Sequence, residues 1–289
     1  MSQADNSIDL SIIIPAKNEA AAIGDVVAAA KTACPEAEII VVDDGSTDAT
    51  ADIAEQSGAT VIRHPESLGN GAAVKAGARV ARGEVLAFMD GDGQHDAGRI
   101  GKLIEKLDEG YHMAVGARDS GSHANIGRMF ANGLYNALAS LISGRNILDL
   151  TSGFRAVRAA NFKEFLYLLP NGFSYPTTIT MAFFRAGYNV SFEPIVAGTR
   201  QGRSHIRPWR DGLRFLLIIF RIGTLYSPLK LFLPIAAAFF VTGLGYYIYT
   251  FTTQHRFTNM SALLFINSVL VFLMGLVSEQ ITVLIFKNR

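Results

Sequence analysis

Apolar runs and amphipathic stretches alternate along the first part of the chain. Residues 10–14 are apolar and end at Pro15; residues 38–42, 60–63, 85–89 and 113–116 repeat that short run. Between them, residues 20–32, 49–57, 71–81 and 97–109 have helical periodicity, and residues 126–142 read as a further helix. Strands separated by helices of this length predict an α/β domain with a mainly parallel, Rossmann-like sheet covered by helices on both faces. In such sheets ligands bind beyond the carboxyl ends of the strands. Pro15, Asp43, Asp44, Asp90 and Asp92 all fall at such ends.

The pattern changes towards the C-terminus. Residues 231–252 carry no charge over 22 positions, and residues 262–286 carry one acid, Glu279, over 25. A helix needs about 20 apolar residues to cross the hydrocarbon core. Both runs qualify, and Tyr246, Tyr247 and Tyr249 near one end suit an interface. Length, missing charge and position weigh against a pair of buried core helices. The connection 253–261 is short, so the two spans form a hairpin. Arg207, Arg210, Arg214, Arg221 and Lys230 precede it and Lys287 and Arg289 follow it, whereas the connection holds only Arg256. The positive-inside rule places both ends and the N-terminal domain at the cytoplasmic face of a cytoplasmic membrane. Residues 208–226 read as a helix on which Arg207, Arg210, Arg214 and Arg221 fall within an arc of about 60°, beside Trp209, Leu213, Phe215 and Phe220. A basic stripe against apolar bulk predicts an amphipathic helix in the headgroup layer. The expected domains are 1–206, the catalytic domain; 207–228, the juxtamembrane region; and 229–289, the transmembrane hairpin.

Composition narrows the chemistry. The formal net charge of +1 provides no global field for nucleic acid, and the single Cys34 excludes disulfide frameworks and cysteine-rich zinc sites. Residues 1–9 are polar and carry no apolar signal-peptide core, so the first domain is expected in the cytosol. Asp90-Gly91-Asp92-Gly93-Gln94 closes the apolar run 85–89. Two carboxylates one residue apart at a strand exit suit magnesium or manganese, which prefer oxygen ligands and share them with substrate phosphates. No dinucleotide fingerprint exists, because Gly69-Asn70-Gly71 lacks the third glycine, and no Gly-Lys-Ser phosphate loop occurs. A diphosphate would then be held by the metal and by cationic side chains. Asp43-Asp44-Gly45-Ser46, taken alone, also fits a turn with a helix N-cap. His64, His95 and His123 are expected to be incidental loop residues.

Ile14-Pro15-Ala16-Lys17-Asn18-Glu19, Val42-Asp43-Asp44-Gly45-Ser46 and the Asp90–Gln94 segment follow one another at strand ends. Together they resemble the inverting family-two glycosyltransferases with the GT-A fold. Thr151-Ser152-Gly153-Phe154-Arg155 and Arg200-Gln201-Gly202-Arg203-Ser204-His205 are similar to the polyprenyl-phosphate branch, which includes dolichol-phosphate mannose synthase and undecaprenyl-phosphate sugar transferases. The resemblance implies transfer of a sugar from a GDP- or UDP-sugar to a polyprenyl phosphate. It implies that Pro15, Lys17, Glu19, Val42 and Asp44 line the nucleoside, and that Asp90, Gly91, Asp92 and Gln94 hold the diphosphate, with Asp90, Asp92 and Gln94 on the metal. Arg118 would reach a phosphate. Arg128, Ser152, Arg155 and Arg203 would take the acceptor phosphate, and Arg200 and His205 would close over the donor. Asp92, Arg118 and Arg128 are the implied catalytic residues. His205 stands where many relatives have lysine. Related hairpin enzymes leave room for a homo-oligomer.

Two other readings stay open at this point. A hydroxyl acceptor would need a general base, for which Asp149 is a spare acid. A non-catalytic membrane anchor that binds nucleotide-sugars is the second, and the presence of both Asp90 and Asp92 weighs against it.

Overall fold

The computed structural model describes residues 10–118, 133, 135–137, 139–140, 143–172, 174–195, 220, 223–224 and 226–287. They fall into two compact units, one within Met1–Ala137 and Asn146–Ile206, the other within Leu138–Arg145 and Arg207–Arg289.

The first unit is built on a seven-stranded sheet. Its strands are β1 (Leu10–Ala16), β2 (Glu38–Asp43), β3 (Thr60–Arg63), β4 (Val85–Phe88), β5 (Met113–Arg118), β6 (Arg155–Arg158) and β7 (Val190–Ile195), in the spatial order β3-β2-β1-β4-β6-β5-β7. Helices α1 (Ile23–Ala33), α2 (Thr50–Gln56), α3 (Asn70–Val80) and α4 (Ile100–Asp108) connect the early strands, and α5 (Ala159–Lys163) and α6 (Tyr175–Arg185) lie between β6 and β7. The β-branched run Ile12-Ile13-Ile14 is wholly buried, because β1 has neighbours on both edges and helices on both faces. Each such side chain contributes roughly 1.5–3 kcal/mol by leaving water. On α1, Ile23, Val26, Val27 and Ala30 are buried at helical spacing. Gly77 lets α3 lie close to the sheet: a Cβ there would come within 2.5 Å of Ile13 Cγ2 and 3.2 Å of Val42 Cγ2.

The sheet differs from a purely parallel one at a single strand. β6 runs antiparallel to both β4 and β5, with Phe88 opposite Arg155 and Val115 opposite Arg155 on the other side. β4 and β5 therefore still point the same way. The carboxyl ends of β1 to β5 and β7 share one edge, and the loop 149–154 that leads into β6 arrives at it.

The second unit is dominated by two long helices, α7 (Pro228–Gln254) and α8 (Asn259–Lys287). Both are long and apolar enough to span a bilayer, and only 11% and 17% of their most apolar windows are buried, unlike core helices. They pack closely where side chains are small: a Cβ on Gly243 would lie 3.0 Å from Leu264 Cβ, and one on Gly275 2.8 Å from Phe232 Cβ. Ser268 Oγ donates to the Ala236 carbonyl at 2.9 Å, and the Leu229 amide donates to Glu279 Oε2 at 3.2 Å. Glu279 thus meets the first turn of α7. The helix expected over 208–226 lies almost wholly outside the described residues.

Candidate active site

The carboxyl edge of the sheet gathers the loops that follow β1, β2, β3 and β4 and the loop 149–154. After β1 the chain turns through Asn18, whose φ is +55°. The Asn18 amide donates to Ser46 Oγ at 2.9 Å, and its Oδ1 accepts from the Thr47 amide at 2.8 Å. The Glu19 amide donates to Thr50 Oγ1 at 2.8 Å. These bonds pin the loop after β1 onto the loop after β2. Pro15 is buried and its carbonyl accepts from the Gly91 amide at 3.3 Å; Lys17 is exposed and Glu19 half-buried. Val42 is fully buried against α3, so its side chain belongs to the core.

Asp44 is buried, and both its oxygens are engaged. His64 Nδ1 lies 2.9 Å away, and Ser67 Oγ, the Leu68 amide and the Gly69 amide donate to it at 2.8–2.9 Å. Burial opposes its charge, but the His64 bond and the three donors prevail and hold the carboxyl below its ordinary range. His64 is therefore not incidental: it binds the carboxylate that orders the loop before α3. Asp43 accepts from the amide and hydroxyl of Ser46.

Asp149 is engaged in the same way. It accepts from Arg118 Nε at 2.8 Å, Arg118 Nη2 at 3.1 Å, the amides of Arg118, Thr151 and Ser152, and Thr151 Oγ1. Arg118 Nη2 also donates to Thr151 Oγ1 at 2.6 Å. Burial would raise the Asp149 carboxyl, yet the Arg118 bond and charge outweigh it and hold it below its ordinary value. Burial likewise works against the Arg118 charge, and the Asp149 bond overcomes it. An acid so occupied makes a poor general base, which weakens the hydroxyl-acceptor reading.

Asp90 presents the opposite case. Its carboxyl lies in a recess formed by Asn70, His95, Gly153 and Tyr175. The neighbouring Asn70 side chain favours its charged form, His95 Nδ1 is 4.0 Å away, and a Cβ on Gly153 would stand 3.3 Å from Oδ2 and 3.5 Å from the Tyr175 hydroxyl. Although 37% of the side chain stays accessible, burial pushes the Asp90 carboxyl up, and the charge of Asp92 adds to that against the pull of His95. Asp92 Oδ1 accepts from the Gln94 amide at 3.1 Å. His95 is not incidental either. Its Nδ1 accepts from the Asp90 amide at 3.3 Å, its ring stacks on Phe154 with centroids 5.1 Å apart, and burial pushes its pKa down, as suits a neutral imidazole.

Of the residues assigned to the acceptor, Ser152 is buried with an unpartnered Oγ beside the Asp149–Arg118 pair. Arg155 is fully buried; its guanidinium donates to the carbonyls of Ser152 and Pro176 and to Thr180 Oγ1, tying the loop to the first turns of α6. That placement turns it inward. Arg128, Arg200, Arg203, His205 and His123 lie outside the described residues. Asn70 and Tyr175 near Asp90 carry no assignment from the sequence pattern, whereas Gly153 lies within the Thr151–Arg155 motif.

The donor set suits a magnesium- or manganese-sized cation. Among the described residues no group of three or more His, Cys, Asp or Glu converges. Asp90 and Asp92 supply two hard oxygens, and His95 turns its Nδ1 to backbone. Such a cation completes its shell with water and substrate phosphates, so two carboxylates suffice.

Residues 11–166 match the model of glycosyl transferase family 2, and residues 227–284 match the GtrB C-terminal hairpin. The chain is 30% identical to glycosyltransferase AglJ of Haloferax volcanii over 82% of its length and 80% of that protein. It is also 30% identical to a dolichyl-phosphate hexose transferase of the same organism, over 71% of this chain and 89% of that one. Glucosyl-3-phosphoglycerate synthase from Mycobacterium tuberculosis, solved with Mn2+, UDP-glucose and phosphoglyceric acid, shares the fold with a TM-score of 0.61 at 22% identity, over 75% of this chain and 79% of that one.

Proposed function

This chain belongs to glycosyl transferase family 2, and from that premise we propose that it moves a sugar from a nucleotide-sugar to a polyprenyl phosphate at the cytoplasmic face of the membrane, with inversion. The observation that carries the reading is the under-coordinated pair Asp90 and Asp92, set at the binding edge of the sheet in a chain that ends in a membrane hairpin. The similarity to a dolichyl-phosphate hexose transferase supports the choice of acceptor.

In this reading an oxygen of the acceptor phosphate attacks the anomeric carbon. The bond from that carbon to the β-phosphate oxygen breaks, and its electron pair leaves with the nucleoside diphosphate. A phosphate monoester has a second pKa of about 6, so much of the acceptor is already dianionic near neutral pH and needs no protein base. The engaged state of Asp149 agrees with that. Asp90 and Asp92 hold the cation, with Gln94 beside them; when bound, the cation neutralises charge on the diphosphate. Arg118, oriented by Asp149 and Thr151, adds a fixed positive charge next to the donor. Ser152 offers its hydroxyl to a phosphate, and Arg155 positions the loop that carries it. Pro15, Lys17, Glu19 and the Asp44 loop frame the nucleoside. Arg128 and Arg203 take the acceptor phosphate, and Arg200 and His205 close on the donor.

The test uses the purified full chain in detergent with a panel of GDP- and UDP-sugars, one polyprenyl phosphate and Mg2+ or Mn2+. A lipid-linked sugar released by mild acid is expected from one donor, and Asp92→Asn should lower its formation by about 10²–10³-fold. An acid-stable product would reject the phosphate acceptor. Near-normal turnover by Asp92→Asn would reject the cation site, and neither transfer nor donor hydrolysis by the native chain would leave the anchor reading.

A further inference from the structure

Residues 135–137 are helical, and the half-buried Asn136 on this turn reaches a segment 12 to 14 residues further along. Its Nδ2 donates to the Leu148 carbonyl at 2.6 Å, and its Oδ1 accepts from the Leu150 amide at 3.1 Å. The carbonyl before Asp149 and the amide after it are thus bound by one planar side chain, as a neighbouring strand would bind them. The adjacent Tyr135 is buried and donates its hydroxyl to Thr177 Oγ1 on α6 at 3.0 Å; the Thr177 hydroxyl donates in turn to the Leu150 carbonyl at 3.5 Å. Packing secures only one end of the segment, because Leu150 is fully buried while Leu148 is 50% exposed. The Asn136 bond to the Leu148 carbonyl holds the other end. Between the two, Asp149 accepts from Arg118 Nε at 2.8 Å and Arg118 Nη2 at 3.1 Å, and from the Thr151 and Ser152 amides at 3.0 and 3.1 Å. These directional bonds are met together only while the backbone at 149 keeps one orientation.

We propose that Asn136 is a positioning residue of the donor site, acting through the 148–150 backbone and Asp149 on the Arg118 guanidinium. Its amide fixes where Asp149 stands, and Asp149 fixes where the Arg118 charge stands beside the donor diphosphate. This rests on the donor site described under the proposed function. A displacement of about 1 Å in such a group can cost about 10²-fold in rate, so a side chain that touches no reactant can still govern transfer.

The experiment measures UDP and GDP binding to the full chain in detergent with Mn2+ present, by calorimetry, and thermal unfolding without nucleotide shows which variants are folded. Asn136→Ala removes both bonds. Asn136→Asp keeps the shape and the acceptor for the Leu150 amide but sets a carboxylate oxygen against the Leu148 carbonyl. Folded variants are expected to bind the preferred diphosphate about tenfold more weakly than the native chain. Arg118→Met removes the charge that Asn136 places, so adding Asn136→Ala to it should change affinity by less than about twofold. Where Arg118→Met does not fold, Asp149→Asn takes its place in the cycle, because it breaks the same relay. An asparagine that only supports the fold would lower affinity by the same factor in both backgrounds, and that result would overturn the inference. Affinity within about twofold of native in a folded Asn136 variant would overturn it too, as would failure of both variants to fold. If the native chain binds neither diphosphate, the donor-site reading falls and this inference with it.

Discussion

Asp44 and Asp149 share the carboxyl edge of the sheet with Asp90 and Asp92, yet the two sets live in different surroundings. Asp44 draws bonds from His64, Ser67, Leu68 and Gly69, and Asp149 from Arg118, Thr151 and Ser152. Both are held below the ordinary carboxyl range despite burial. Asp90 has a histidine at 4.0 Å and a like-charged neighbour, and burial pushes it the other way. Acids of the first kind have spent their lone pairs on the protein and order loops. Those of the second kind hold charge that the protein alone does not balance, as a site awaiting a cation does. The same residue type at the same edge thus serves architecture in one loop and chemistry in the next.

Removing the charge should separate the two kinds most sharply at Asp90. Asp90→Asn is expected to lower sugar transfer by about 10²–10³-fold, because a hard oxygen ligand is lost. Its stability without cation should be unchanged or raised by about 0.5–1 kcal/mol, as when a strained site is relaxed. Parallel transfer assays and urea unfolding read both numbers. A stability loss above ~1 kcal/mol with transfer preserved would place Asp90 with the architectural acids.

Asp149→Asn should show the reverse weighting in stability. It leaves the Arg118 guanidinium, 30% exposed, without its ion-pair partner. One-sided removal from a buried pair costs about 3–5 kcal/mol, and the partial exposure of Arg118 brings the expectation to about 2–3 kcal/mol. The pH dependence follows from the depressed pKa. The contribution is fully present above the unfolded carboxyl value of about 4 and fades as pH falls through the lower folded value. The gap between urea midpoints of native and Asp149→Asn chains should therefore narrow as pH is lowered from neutral to about pH 3. A gap that stays constant over that range would remove the ion pair as its cause.

Much of this edge was legible in the sequence because the apolar runs of β1, β2 and β4 end at marked residues, and each run signals itself locally. β6 did not, since Arg155-Ala156-Val157-Arg158 has a charge at either end and its identity as a strand comes from β4 and β5 on its flanks. β7 contains Glu193 and Pro194, tolerable because it is an edge strand. The hairpin was legible from length and charge alone. What could not be read was the division of labour among the acids. His64 reaches Asp44 across 20 residues and Arg118 reaches Asp149 across 31, so whether an aspartate is already engaged depends on contacts that no local pattern encodes. Arg155 shows the same limit, because an arginine in a phosphate-binding pattern folds inward onto carbonyls.

Glu279 extends the comparison into the hairpin, with the smallest expected effect. Its Oε2 accepts the Leu229 amide at the start of α7, where Pro228 occupies the first turn and the first amides have no intrahelical acceptor. That places it with the architectural acids, as a cap contributed by the other helix. Glu279→Gln keeps a carbonyl acceptor and should change hairpin stability little. Glu279→Leu removes it and should cost about 1 kcal/mol, as loss of a helix cap does. Unfolding of the full chain by graded SDS compares the two. Equal losses from glutamine and leucine would show that the charge of Glu279, rather than the bond to Leu229, is what the hairpin uses, and would move this acid to the side of Asp90.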